Sequence, residues 1–141
     1  MDFDIDVTFP GGKRVDARVG EFVVRTDQSV EHGGQASAPE PFTLFLASLA
    51  TCAGLYVVGF CQTRGIPTDG LRLTQRSEMD EKGHLVRVVI EVHVPASFPA
   101  QYRAAVARAA AACKVKKTFA NPPAFEVSTT VDATGVSAGA V

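Results

Sequence analysis

Residues Pro41–Arg64, PFTLFLASLATCAGLYVVGFCQTR, decide the fold. Positions 42–61 within them carry no charged side chain. By length and apolarity alone such a run nominates a membrane span. The neighbouring segments argue against that reading, because they alternate as half-buried strands whose apolar faces a span would leave without a partner. Small residues at Ala47, Ala50, Thr51 and Gly54 instead suit a helix buried on all sides and closely approached by another helix. Pro41 fits a first helical turn, while Arg64, Gly65 and Pro67 supply a last-turn cation, a C′ glycine and a breaker. The sequence therefore predicts one central helix over 41–64.

On its N-terminal side, Phe3, Ile5, Val7 and Phe9 share one strand face, with aspartates and Thr8 on the other. Pro10-Gly11-Gly12-Lys13 turns the chain, Val15, Ala17 and Val19 form a second alternating strand, and Phe22-Val23-Val24 reads as a third. From Thr26 to Pro41 the sequence TDQSVEHGGQASAPEP has no apolar period, and a loop of that length is functional or disordered. On the C-terminal side, Leu71 and Leu73 open a strand, and Asp80-Glu81-Lys82-Gly83 turns into a longer one lined by Val86, Val88, Ile90, Val92 and Val94. Pro99 starts a second helix whose apolar positions end at Cys113, a short helix runs from Lys114 to Ala120, and Phe125, Val127, Thr129 and Val131 alternate as a last strand. The expected class is α+β in the order βββ-α-ββ-α-α-β, a long buried central helix packed on antiparallel sheet. Residues 1–131 form a single domain and 132–141 a disordered tail.

The whole chain, 141 residues and 14.9 kDa, has room for one domain. Fourteen Lys and Arg against fifteen Asp and Glu leave a net charge of −1, so no global field draws the protein to nucleic acid or anionic lipid. Six strands in so short a chain cannot enclose an undivided apolar helix, so a homodimer through that helix is expected from burial alone. Three cysteines, with no basic and apolar leader pattern at Met1, point to a reducing cytoplasm rather than a disulfide scaffold.

Cys52 lies midway along the helix with Ser48 and Tyr56 one turn to either side, and reads as core filler or as chemistry. Cys61, nine residues on, falls on the opposite helix face and reads as filler. Cys113 precedes Lys114, Lys116 and Lys117, where cations and a helix N-terminus favour a thiolate. If the two helices pack, Cys52 and Cys113 meet as a redox pair. His32 sits beside Gly33-Gly34, upstream of the helix, where its loop could fold over the helix face. His84 and His93 have no ligand partners at metal spacing, and no phosphate loop or GxSxG occurs, so neither metal nor cofactor is expected.

Two motifs give the chain a family resemblance. APEPFTLFLASLATC, Ala38–Cys52, is similar to the proline-to-cysteine helix entry of the osmotically inducible protein C (OsmC) family, which includes the organic hydroperoxide resistance proteins. Ala112-Cys113-Lys114-Val115 is similar to that family's second-cysteine motif, Cys-Pro-Val. The resemblance implies an intertwined homodimer, its two long helices enclosed by two sheets. It implies a thiol peroxidase acting on organic hydroperoxides, with Cys52 peroxidatic, Cys113 resolving and an external dithiol as reductant. Phe42 stands at the family's frequent glutamate position, Glu40 falls two residues early, and His32 falls where one branch keeps an arginine. The other branch draws its arginine from the N-terminal strands, where Arg14, Arg18 and Arg25 are candidates. His32, or Arg18 and its strand neighbours, is the expected cation beside Cys52. The alternative is a non-catalytic dimer that binds a small apolar or thiol-bearing ligand in the same place.

Overall fold

The computed structural model describes residues 3–132. Three antiparallel strands come first: β1 (Asp6–Gly11), β2 (Arg14–Val19) and β3 (Phe22–Thr26). Their register places Val7 opposite Ala17 and Ala17 opposite Val24, so the alternating apolar residues line one face. Gly12 and Gly20, both at φ 59°, make the two turns. A single turn of 3-10 helix, Val30–His32, interrupts the following loop.

Helix α1 (Pro41–Thr63) follows, with Pro41 in its first turn and Glu40 as N-cap residue. It ends where the Arg64 guanidinium stacks 3.7 Å above the Phe60 ring and Gly65 turns left-handed at φ 64°. The hairpin β4 (Arg72–Met79) and β5 (Leu85–His93) packs on α1, and the Gln75 side chain donates to the Leu46 carbonyl at 2.9 Å. A 3-10 turn, Ala100–Tyr102, leads into α2 (Arg103–Ala111), and α3 (Lys114–Ala120) completes the regular structure. The core gathers Ala53, Val57 and Cys61 of α1 with Phe98, Val106, Ala110 and Cys113.

One expectation agrees with the structure and one needs correction. Helix α1 is not enclosed by its own chain, as expected of a chain too short to cover it. Leu49, Ala53, Val57 and Cys61, one residue every four, form a single buried row, while Leu55 on another face is 66% exposed. One hairpin and α2 can cover only one side of a helix, and the β1–β3 sheet makes its extensive contacts within itself. That sheet leaves its own apolar face open as well, with Phe22 76% exposed. The expected last strand is not formed. Residues 121–132 contain no strand ladder, and Phe125 and Val127 are 86% and 95% exposed. Alternation makes a segment competent to pair, but a ladder also needs a neighbouring edge in register. The tail expected over 132–141 lies, except for Asp132, outside the described residues.

Candidate functional site

The packing of α1 against α2 and α3 brings two of the three cysteines together. Ala112 ends α2, and Cys113 takes an extended conformation at φ −56°, ψ 136° that restarts the chain as α3. Its sulfur caps the new helix by accepting from the Lys116 N–H at 3.3 Å. The first turn of α3 faces partly buried Cys52, and its groups hold the Cys52 thiol below the ordinary value. The backbone N–H of Val115 contributes most; the Cys113 thiol, the Lys114 N–H and the Lys114 charge act in the same direction, against burial. Free N–H groups at a helix start and a cation favour the charged thiolate for the same electrostatic reason.

Cys61 is the contrast. It is fully enclosed in the core, and burial pushes its thiol up despite the positive charge of Arg64. Cys52 packs against the same core that encloses Cys61, so what separates the two thiols is burial and nearness to the start of α3, not opposite helix faces. The sequence assigns the lysines and helix start after Cys113 to the Cys113 thiol alone. In the fold the start of α3 serves both sulfurs: the Lys116 N–H donates to Cys113, while the Val115 and Lys114 N–H groups and the Lys114 charge act on Cys52.

His32 is anchored elsewhere within the chain. Its Nδ1 lies 3.1 Å from the Glu40 carboxylate, which also accepts the Ser29 N–H at 3.3 Å. His32 is the largest cause of the lowered Glu40 pKa. Glu40 precedes α1, and twelve residues of helix at ~1.5 Å each separate it from Cys52 by roughly 18 Å. In a single chain, therefore, His32 does not lie over Cys52, and the helix length is the reason. Arg18 sits on the polar face of β2 between Asp6 and Val23, in a sheet whose extensive contacts are within itself. No sequence signal marks the pairing of Glu40 with His32, because their spacing of eight residues across a loop matches no helix or strand period.

A groove of about 700 Å³ runs along the edge of β5 between that strand and α2–α3. Val88, Ile90 and Ala110 make it apolar, Arg87 and Lys116 give it two cations, and Cys113 lines it while Cys52 does not.

The family model described as OsmC-like protein matches residues 33–128, more than half of the chain. No curated protein sequence matches. Among solved structures, a protein of Psychrobacter arcticus 273-4 assigned to osmotic stress induction and detoxification is similar at TM-score 0.70 and 21% identity, over 81% of this chain and 85% of that one. An organic hydroperoxide resistance protein OsmC of Legionella pneumophila is similar at TM-score 0.61 and 21% identity, over 84% and 89% of the two chains. An OsmC-like protein of Mycoplasma pneumoniae is similar at TM-score 0.67 and 16% identity, over 86% and 89%. These likenesses extend the agreement in fold beyond the matched segment.

Proposed function

The chain belongs to the OsmC-like protein family, and from that premise we propose that it is a two-cysteine peroxidase that reduces organic hydroperoxides. The observation that carries this reading is the environment of Cys52, whose sulfur faces the Val115 and Lys114 N–H groups and the Cys113 thiol. A thiolate attacks peroxide far faster than a thiol, and the next thiol is in contact to receive the product.

The Cys52 thiolate attacks the distal oxygen of ROOH; the S–O bond forms, the O–O bond breaks, and the departing alkoxide takes up a proton to become ROH. Cys52 is left as a sulfenic acid. The Cys113 sulfur attacks the Cys52 sulfur, forming the disulfide and expelling hydroxide, which leaves as water with the Cys113 proton. An external dithiol then reduces the disulfide in two exchange steps and is itself oxidised to a disulfide.

A homodimer supports this chemistry. The open side of α1 and the open apolar face of the β1–β3 sheet are each too exposed for a finished surface, and each would cover the other in a second copy. Such an arrangement also offers a route by which His32 or Arg18 of one copy would reach Cys52 of the other, since neither is among the groups that act on Cys52 within one chain. The buried row of α1 favours a soluble protein, and we place it in the cytoplasm, where thiols stay reduced. The apolar groove beside Cys113 favours a second reading, a dimer that binds a small apolar or thiol-bearing ligand without turnover.

Thiol titration before and after one equivalent of an alkyl hydroperoxide separates the two. Three free thiols should fall to one, with stoichiometric alcohol released. Three thiols that persist would exclude the peroxidase and leave the binding protein.

A further inference from the structure

The loop between β3 and α1 is closed at its base by one buried carboxylate. Asp27 is 1% exposed. Its Oδ1 accepts the Gln28 N–H at 2.7 Å, and its Oδ2 accepts from Ser37 N at 3.1 Å, Ser37 Oγ at 2.5 Å and Gln35 N at 3.4 Å. The backbone reinforces the closure, with Asp27 N donating to the Pro39 carbonyl at 3.2 Å and Ala36 N to the Gln28 carbonyl at 2.9 Å. The chain passes so tightly here that a Cβ at Gly34 would overlap the Gln28 carbonyl and come 2.7 Å from Asp27 Oδ1. Ala36 adopts φ 54°, a conformation that a residue with a side chain holds only when its surroundings enforce it.

What this closed base supports is the tip. Ser29 Oγ accepts the His32 N–H at 3.3 Å, Ser29 N donates to Glu40, and Glu40 receives His32 Nδ1. His32 is thus held through its backbone and through Nδ1, its side chain is mostly exposed, and its other ring nitrogen makes no hydrogen bond among the described residues.

We infer that Asp27 is a positioning residue, which by closing residues 27–37 clamps His32 against Glu40 and so fixes the orientation of the histidine that a second copy would present to Cys52. Only the last step rests on the peroxidase reading; the clamp itself is independent of it. Four neutral donors converge on Asp27, and a carboxylate has the acceptor sites for all of them. An asparagine of the same shape would turn an NH₂ group toward N–H and O–H donors and lose that closure. The strength of these bonds also shows in the Asp27 carboxyl, which the Ser37 hydroxyl above all lowers to about 2. The charged side chains that share this region are Glu31 and His32 on the loop, Glu40 at the start of α1, and Lys13 from the β1–β2 turn, which lies against Gly33.

The test compares Asp27→Asn and Gly34→Ala with the parent. Carbon NMR follows the Glu40 carboxyl titration, and the His84–Asp80 pair of the β4–β5 turn, at 3.2 Å, serves as internal control. Both variants should raise the Glu40 midpoint toward the ordinary glutamate value while the control pair and the circular dichroism spectrum stay as in the parent. Folded variants whose Glu40 midpoint remains at the parent position overturn the inference. Loss of fold in both also overturns it, since Asp27 would then be a determinant of folding. The pH profile of Cys52 alkylation is measured in the same variants and in His32→Ala. If Glu40 moves in the two loop variants but His32→Ala leaves that profile unchanged, the clamp stands and the action of His32 on Cys52 falls.

Discussion

The sulfur of Cys52, on α1, takes its acidity chiefly from the backbone N–H of Val115, on α3. The two residues lie sixty-three positions apart in sequence, and the short break at Ala112-Cys113 is what aims one at the other. A main-chain donor cannot be removed by most substitutions, so the first turn of α3 must be altered through its charge or its helical start.

Lys114→Ala removes the charge and keeps the N–H, and should slow iodoacetamide alkylation of Cys52 at neutral pH by about two- to fivefold, the scale of a ~0.3–1 kcal/mol electrostatic effect at a helix end. Lys114→Pro removes charge and N–H together at the first helical position, where proline is tolerated, and should slow it further. Equal rates in the parent and both variants would contradict the assigned source of the acidity.

Oxidation by an alkyl hydroperoxide should produce one Cys52–Cys113 disulfide within a chain and leave Cys61 free. Cys61 is enclosed by the core around Ala53, Val57 and Val106, and burial keeps its thiol protonated. Peptide mapping under acid quench reads the connectivity. A Cys52–Cys61 bridge, or a Cys52 oxidised beyond the sulfenic acid without any bridge, would remove Cys113 from its resolving role.

Light scattering at micromolar concentration should give twice the 14.9 kDa of one chain. Leu55→Glu places a charge on the open side of α1, where Leu55 is 66% exposed in the single chain. It should shift the mass toward one chain, whereas a change confined to solvent would leave it unaltered. A parent that scatters as a monomer would refute the dimer.

Asp27 also predicts a pH dependence of stability. Its folded-state carboxyl is lowered to about 2 from an ordinary 3.8, so its contribution is present above pH ~4 and disappears as pH falls through about 2. Urea unfolding of the parent and Asp27→Asn should therefore differ at pH 6 and converge as the pH approaches 2. A gap between the two curves that is constant across that range would show that Asp27 does not carry this linkage.

Much of the architecture follows from local pattern. Period-two alternation located β1, β2, β4 and β5, and the charge-free run bounded by Pro41 and Gly65 located α1, because these signals report how a segment must bury its own side chains. The same reasoning overreached at Phe125–Val131. An alternating segment states what it could pair with, and only a neighbouring edge decides whether it does. The apolar composition of α1 registers every contact a helix makes in any assembly, and the single chain supplies one covering face, in line with a chain too short to enclose it.

The chemistry divides in the same way. The sequence reads Cys61 as core filler, and it is enclosed in the core, but Cys52 packs against that same core, so helical phase alone does not tell the two thiols apart. Which thiol the α3 start would activate, the pairing of His32 with Glu40, and the closure of their loop by Asp27 depended on elements distant in sequence meeting in space. Hydrogen bonds and charges act over a few ångströms and carry no period along the chain, so only the tertiary structure could assign them.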